Sequence, residues 1–583
     1  MNNYRVGLQE IETGQKLNIW ASSLSHCSLR LFKNRSATEV SQKISMQREE
    51  DGFFSAVFPF DVDEICYDLE LPCGLCVPDP FADENIGGVH GRSISFSPGK
   101  ERRRDASEIW QGVPISKATI LEVHVGTFTK EGTFRALLEK LGALKESGIT
   151  TIQLMPITLV PGDRNWGYDP VSFFTLNPKY GSSSELHNLI ECAHQKGIAV
   201  ILDVVFNHLG PEGNYFSLIS KDVFDARQRT PWGNAISIEG ESAEIVQNII
   251  LQSIEKWMSR FGFDGIRVDA GEYLRSFENC DLLKAIANAA RESCWHENPL
   301  LILEHDLAQL SETDRDILFS EGGYNLLWNH ALIQTPAMAG EGMALVHRVF
   351  ADHATDPKSV FSLENPLRSA KKCPAYVNFL RSHDTIGNAG FAFRNEGIET
   401  LDWLDALPLL LLMPSVPMIF MGDEWMCDTP FHFFCDLQDT SQADLVAARS
   451  REFGNQRLLN SQPMEEAAFT GATIDWNSRD ENAFIRHYFE KLSEIRQHYI
   501  APLLEGKSSR VQQWRSVCGH AFAIRWLCEN GYWLTILCTA RQGHGVITPD
   551  FGTQIFFSDA EIGSRDGGFS TALYRSGSVK SDE

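Results

Sequence analysis

Four strand-like runs in this chain end in acids or acid-amide-histidine groups, and the sequence concentrates its chemistry there. The densest is Phe263-Asp264-Gly265-Ile266-Arg267-Val268-Asp269-Ala270. Arg267 and Asp269 lie two residues apart, so on a strand both side chains point to one face. A charge pair on the inward face of a buried strand is costly unless it is functional or tightly paired; a structural ion pair is the bland alternative. Three further runs end the same way: Val200-Ile-Leu-Asp203-Val-Val-Phe-Asn207-His208, Leu300-Leu-Ile-Leu-Glu304-His305-Asp306 and Tyr376-Val-Asn-Phe-Leu-Arg-Ser-His383-Asp384. Asp269 and Glu304 are 35 residues apart, the length of one strand-helix-strand unit, and Asp384 follows 80 residues later, room for two more.

Three acids around one mouth, with Arg267, His208 and His383 among them, describe a glycosidic-bond site. One carboxylate attacks the anomeric carbon and a second, protonated, acid delivers a proton to the leaving oxygen, at the separation of about 5–5.5 Å that retention requires. Arg267 is expected to keep its neighbour ionised, because an opposite charge lowers a carboxyl pKa. The proton donor needs apolar surroundings and nearby negative charge, and Leu301-Ile302-Leu303 before Glu304 offers that setting. Asn165-Trp166-Gly167-Tyr168-Asp169 places two rings, Trp166 and Tyr168, where a sugar face could stack, with packing anchors as the alternative. His208 and His383 could instead ligate a metal, but no HxH or HExxH spacing supports that, so neither a metal nor a cofactor is expected.

Groups so placed need a scaffold that brings strand ends to one mouth. From Ile120 the chain alternates strand and helix, with strand candidates at 120–125, 151–156, 199–205, 265–270, 300–306, 324–328, 376–384 and 417–423. Helical patterns fall at 133–147, 183–196, 245–260 and 401–413, with 481–499 after the last strand. Apolar strands alternating with helices imply a parallel sheet, and eight of them an α/β architecture, a (β/α)8 TIM barrel. Such barrels keep their active sites at the C-terminal strand ends, where these acids lie. A doubly wound open sheet is the runner-up, but the chain has no Gly-rich dinucleotide loop. Residues 1–95, with strand character at 16–20, 28–32 and 52–58, are expected to form an N-terminal β-sandwich domain, and Pro80 to about Lys117 a linker. Residues 96–505 then hold the catalytic barrel with its linker and helical insertions, and 506–583 a C-terminal all-β domain.

Composition narrows the partners. A chain of 583 residues exceeds one ordinary domain, and 43% apolar content supports a large core. Its formal charge of −25, without a basic block, argues against nucleic acid or an anionic membrane surface and is compatible with a neutral polyhydroxyl substrate. No run approaches a membrane span, and the N-terminus lacks the apolar core of a signal peptide. Thirteen scattered cysteines, with Cys73-Gly-Leu-Cys76 as the one CxxC, fit reduced thiols in a cytoplasmic protein better than a disulfide framework.

These motifs resemble the α-amylase superfamily of retaining glycosidases and transglycosidases. Four short signature regions stand in order: Asp203-Val-Val-Phe-Asn-His208, Gly265-Ile-Arg-Val-Asp269, Leu303-Glu304-His-Asp306 and Ser382-His383-Asp384. The resemblance implies Asp269 as nucleophile, Glu304 as general acid/base and Asp384 as the acid that grips sugar hydroxyls and strains the ring. It also implies His208, Arg267 and His383 as substrate-binding residues and Tyr168 as the stacking ring. Longer stretches are similar to the maltooligosyltrehalose trehalohydrolase family: Leu121-Glu-Val-His-Val-Gly-Thr-Phe-Thr129, Asn165-Trp-Gly-Tyr-Asp169, Thr230-Pro-Trp-Gly233 and Met421-Gly-Asp-Glu-Trp425. That likeness implies a maltooligosyl trehalose or related α-glucan as substrate and a companion synthase that makes it. Two stretches differ from the family pattern. Gly271-Glu272-Tyr273-Leu274 stands where the family has a valine-histidine-alanine type run, and Trp328-Asn329-His330-Ala-Leu is shortened where the family has an acidic pair and a double histidine after its tryptophan. Glu272 is the candidate for a substituted substrate contact. Branching or debranching enzymes share these acids, and a catalytically silent glycan-binding barrel would be expected to have lost one of them.

Overall fold

The computed structural model describes residues 5–12, 14–58, 63–97, 110–275, 280–306, 309–319, 323–329, 375–388, 400–453, 462–505, 510–515, 521–528, 532–540, 550–558 and 569–576. Eight short strands form its centre: β1 (Ile120–Val123), β2 (Thr151–Leu154), β3 (Ala199–Val204), β4 (Gly265–Val268), β5 (Leu300–Leu303), β6 (Leu326–Trp328), β7 (Ala375–Phe379) and β8 (Val416–Phe420). They pair in chain order, all parallel, and β1 closes on β8 with Ile120 opposite Met418. All eight expected strands are present, and the barrel is the architecture the alternating pattern implied.

The helices between them begin where the local chemistry allows. Thr133 caps α1 (Phe134–Glu146) by accepting from the Ala136 N–H, and Ser182 with Glu185 forms a reciprocal capping box on α2 (Ser183–Gln195). Each buries one stripe, Leu137, Leu141 and Leu144 on α1 and Leu186, Leu189 and Ile190 on α2, at the three-to-four spacing of a helix face.

Alternate strand residues face the barrel axis. Its lower interior is an apolar plug in which Ile120, Ile201, Ile302, Leu326, Val377 and Met418 pack together. Two residues further along three of these strands stand Glu122, Asp203 and Glu304, so one step of the pleat changes the interior from hydrocarbon to carboxylate. The plug carries stability and the layer above it carries chemistry.

Two sheets precede the barrel. One orders Gly7–Ile11, Gly14–Trp20, Phe53–Phe58 and Gln47–Arg48. The other orders Val40–Ser45, Ser28–Phe32, Glu64–Glu70, Arg92–Phe96 and Glu84–Ile86, with Cys76–Val77 beside Glu64–Glu70. The linker expected from Pro80 is corrected here: Glu84–Ile86 and Arg92–Phe96 are strands of the second sheet, with Ile94 opposite Cys66. Ser172 and Thr175 donate to the carbonyls of Pro80 and Ala82, tying that segment to the barrel. After the barrel, five antiparallel strands from Arg510–Arg515 to Phe569–Ser576 form the expected C-terminal sheet. No helix among the described residues is long and apolar enough to cross a membrane.

Candidate active site

Arg267 is the centre of the polar layer. Its side chain, on β4, is wholly buried, and three carboxylates converge on it. Nη1 donates to Asp203 Oδ2 at 2.6 Å and to Asp269 Oδ1 at 2.9 Å, and Nη2 donates to Glu304 Oε2 at 2.6 Å. The indole of Trp328, from β6, lies under the guanidinium with its ring centroid 4.0 Å away, a cation–π contact that needs no further donor. The two terminal nitrogens of one planar fork thus hold Asp269 and Glu304 side by side.

The backbone sets the rest. Asp269 directly follows β4 and Glu304 directly follows β5, and their N–H groups donate to Val204 and Val268 at 3.1 Å each. Ala270 then turns left-handed at φ 42°, a conformation costing a residue with a Cβ roughly 1–2 kcal/mol. That turn aims the Ala270 N–H at Glu304 Oε2, 2.9 Å away. Asn207 Nδ2 donates to the other oxygen of Asp269 at 3.0 Å.

Charge in this cluster is out of balance. Burial pushes Asp269 up to about 8; Arg267 opposes the rise, while Glu304 and Asp203 add to it. The expectation that Arg267 keeps Asp269 ionised is corrected accordingly: one guanidinium shared among three acids cannot offset burial and two like charges. A proton held by such a close pair belongs to both groups. One proton across Asp269 and Glu304 is the count that attack by a carboxylate and protonation by a carboxylic acid require. Burial also lifts Asp203 to about 6, against Arg267 and the Tyr168 hydroxyl, which donates to it at 2.7 Å.

His383 and Asp384 start the single helical turn His383–Gly387 after β7, capped by Ser382. Asp384 is the most open of the three proposed acids, 37% exposed against 13% for Asp269 and 14% for Glu304. Asn388 donates to it at 2.7 Å, and His383 Nε2 lies 3.6 Å from it. Tyr168 stacks on the His383 ring at 4.8 Å and 22°.

Two of the expected sugar contacts are buried. Trp166 is buried, stacked on Phe431 at 5.2 Å with Phe433 and His383 against it edge-on, and its indole N–H donates to the His432 carbonyl. It is a packing anchor, the alternative weighed for it above, and offers no ring face to a sugar. His208 is also buried: Nε2 faces the Tyr168 carbonyl at 2.9 Å, Nδ1 contacts Asn207 Oδ1, and burial lowers its pKa. Glu272 lies half-buried in the turn Gly271–Leu274 that follows Ala270. Beside that turn, Tyr273 packs edge-on at 5.4 Å against the exposed Trp232, which in turn faces His208 at 5.3 Å. Of the divergent stretch after β6, Trp328 and Asn329 are described and His330 lies outside the described residues.

Several residues that build the site were not singled out for it from sequence. Asp203 and Asn207 stood within a signature run without assigned roles. Glu122 stood in a family-like stretch and Trp328 in a divergent one, neither with a role of its own. Among the described residues no group of three or more His, Cys, Asp or Glu is arranged to hold a metal ion.

Comparison with known proteins follows the same lines. The α-amylase catalytic domain family matches residues 76–232. The malto-oligosyltrehalose trehalohydrolase of Mycobacterium tuberculosis is 30% identical over 489 residues, covering 78% of this chain and 82% of that one. The trehalohydrolase of Saccharolobus solfataricus is 29% identical over 546 residues, covering 90% and 89%. A solved structure of a Salmonella typhimurium protein assigned as an α-amylase matches at TM-score 0.80 and 26% identity, covering 98% of this chain and 99% of that one.

Proposed function

The chain belongs to the malto-oligosyltrehalose trehalohydrolase family, and from that premise we propose that it cleaves the α-1,4-glucosidic bond next to the terminal trehalose of a maltooligosyl trehalose. The products are trehalose and a maltooligosaccharide. It is a glycoside hydrolase acting on α-1,4-linked glucans. The observation that carries the chemistry is the single guanidinium holding Asp269 and Glu304 on its two terminal nitrogens, a side-by-side disposition suited to retention.

In this reading Asp269 attacks the anomeric carbon while Glu304 protonates the leaving glycosidic oxygen, which departs as a hydroxyl of trehalose. Glu304, now a base, takes a proton from water as that water attacks the glycosyl–Asp269 ester, restoring both groups. Arg267 stays fixed through both steps and needs no reorganisation as charge moves between the two carboxyls. Asp384, the most exposed acid, grips sugar hydroxyls, and Tyr168 and His383 wall the cleavage subsite beside it. Glu272 supplies a polar contact to the trehalose end, supported by its place one turn beyond the nucleophile. On the same reading a companion synthase makes the trehalose-capped substrate. The free thiols of the described cysteines support a reducing, cytoplasmic setting.

The test is kcat/KM for maltotriosyltrehalose against maltopentaose, chains of equal length. A site built to hydrogen-bond one end rejects an analogue lacking it by orders of magnitude, whereas apolar contact alone gives tens- to a few hundred-fold. A large ratio that falls in Glu272→Ala is expected. A ratio near one would leave a general glucan hydrolase or a branching enzyme as the better reading.

A further inference from the structure

We propose that Glu122 is a positioning residue for the cleavage site: its carboxylate fixes the orientation and charge state of His383, whose second ring nitrogen faces Asp384. The inference rests on the site assignment above and extends it to a residue that need not touch substrate.

Glu122 lies on β1 and is wholly buried. One of its oxygens pairs with His383 Nδ1 at 2.8 Å and the other accepts the His383 backbone N–H at 2.9 Å. A carboxylate that grips both the backbone and the ring of one residue sets where that ring starts and how it is turned. Gln153, from β2, adds a weaker contact to Glu122 at 3.4 Å, and the Glu122 carbonyl accepts from the Met421 N–H at 3.0 Å. Glu122 is therefore itself held from β2 and from the end of β8. The imidazole faces are then occupied, by Tyr168 stacked at 4.8 Å, Trp166 edge-on at 5.5 Å and Trp328 tilted at 6.0 Å. Nδ1 is committed as a donor to Glu122, which leaves Nε2 to serve Asp384, 3.6 Å away.

The charges around the ring decide whether Nε2 carries a proton. Burial disfavours the imidazolium, but Glu122 and Asp384 outweigh it, with Arg267 acting against them, and His383 is held up at about 9. Asp203 senses the same positive charge from β3. His124, also on the wall, is driven down to about 4 by burial with His383 against it, so it stays neutral. At neutral pH Nε2 is consequently charged, and it faces Asp384 at 3.6 Å. Without Glu122 the ring loses its fixed orientation and its strongest partner.

Glu122→Gln tests this with little change of shape. In the wild type the first loss on the alkaline side is the proton of the Asp269–Glu304 pair near 8, ahead of His383. In the variant His383 becomes the first group to lose its proton, so the alkaline limb of kcat/KM moves down by about one unit or more, towards the ordinary imidazole range near 6.5. At pH 7.5 kcat is expected to fall tenfold or more with KM changed less than threefold, and Glu122→Asp, which keeps the charge, should keep the limb in place. An unmoved limb in Glu122→Gln overturns the proposal. A substrate-free readout stands beside it: NMR titration of the His383 ring nitrogens in the wild type. Titration well above 7.5 is expected, and titration near 6.5 overturns the proposal whatever the enzyme's substrate or the variant's folding.

Discussion

Replacing Arg267 by lysine keeps a positive charge in the barrel mouth but removes the fork on which Asp203, Asp269 and Glu304 meet at 2.6, 2.9 and 2.6 Å. A hydrogen bond to a charged group contributes about 1.5–3 kcal/mol. One ammonium on a flexible stem cannot reproduce the planar spread to Asp203 on one side and Glu304 on the other, so at least two of the three bonds are lost. The transition state then loses roughly 3–6 kcal/mol, which is about 10²- to 10⁴-fold in kcat/KM. Stability should suffer too, because breaking a buried ion pair costs on the order of 3–5 kcal/mol; rates are therefore measured well below the variant's Tm. A further signature is directional. Arg267 is the strongest influence lowering the Asp269 pKa, so the alkaline limb, set by the proton of the Asp269–Glu304 pair, should move to higher pH in Arg267→Lys. The assay is release of trehalose and new reducing ends at 25 °C across pH 5–9, with a thermal melt of the same sample. A variant within tenfold of wild type, with its alkaline limb unmoved, would refute the shared-fork account.

Three other outcomes are expected. Asp269→Asn and Glu304→Gln should each abolish turnover with the fold intact, and either variant keeping a tenth of the wild-type kcat would refute the role given to it. Trp166→Ala should lower Tm sharply, since emptying a buried Trp site costs about 3–5 kcal/mol. Trp166→Phe should leave KM within threefold, and a large KM change at unaltered Tm would mean that the ring meets sugar after all. At the barrel floor Asp264 is hydrogen-bonded to His194 and His296 at 2.8 Å each. Against burial, the Asp264 bond and Cys294 raise His296 to about 9, so its stabilisation is fully present below about pH 6.5 and lost as pH rises through 9. The Tm gap between wild type and His296→Gln should close over that window, and a gap constant from pH 6 to 10 contradicts the coupling.

What the sequence made legible follows from where its information is local. The eight strands were readable because parallel strands are buried on both faces and read as short apolar runs. The acids were readable because a charge at the end of such a run has few bland explanations. The segment after Pro80 misled because Glu84–Ile86 and Arg92–Phe96 are brief strands separated by Gly87 and Gly88, both at positive φ, and such turn-rich text looks like a linker. Trp166 read as a sugar platform because the rings that bury it, Phe431 and Phe433, come from a loop more than 260 residues later. Glu122 was silent for the same reason: its partner His383 is 261 residues away, and only barrel closure makes them neighbours. The charge balance was misjudged because one arginine beside one aspartate was visible in the octapeptide, whereas the two other acids on the same guanidinium arrive from neighbouring strands.

The most direct measurement is proton NMR of maltotriosyltrehalose in the first minutes of reaction. The account predicts free trehalose together with maltotriose formed as its α-anomer, which then mutarotates, because attack by Asp269 and then by water inverts the same carbon twice. First-formed β-maltotriose, or cleavage that leaves the trehalose cap on a longer fragment, would contradict it.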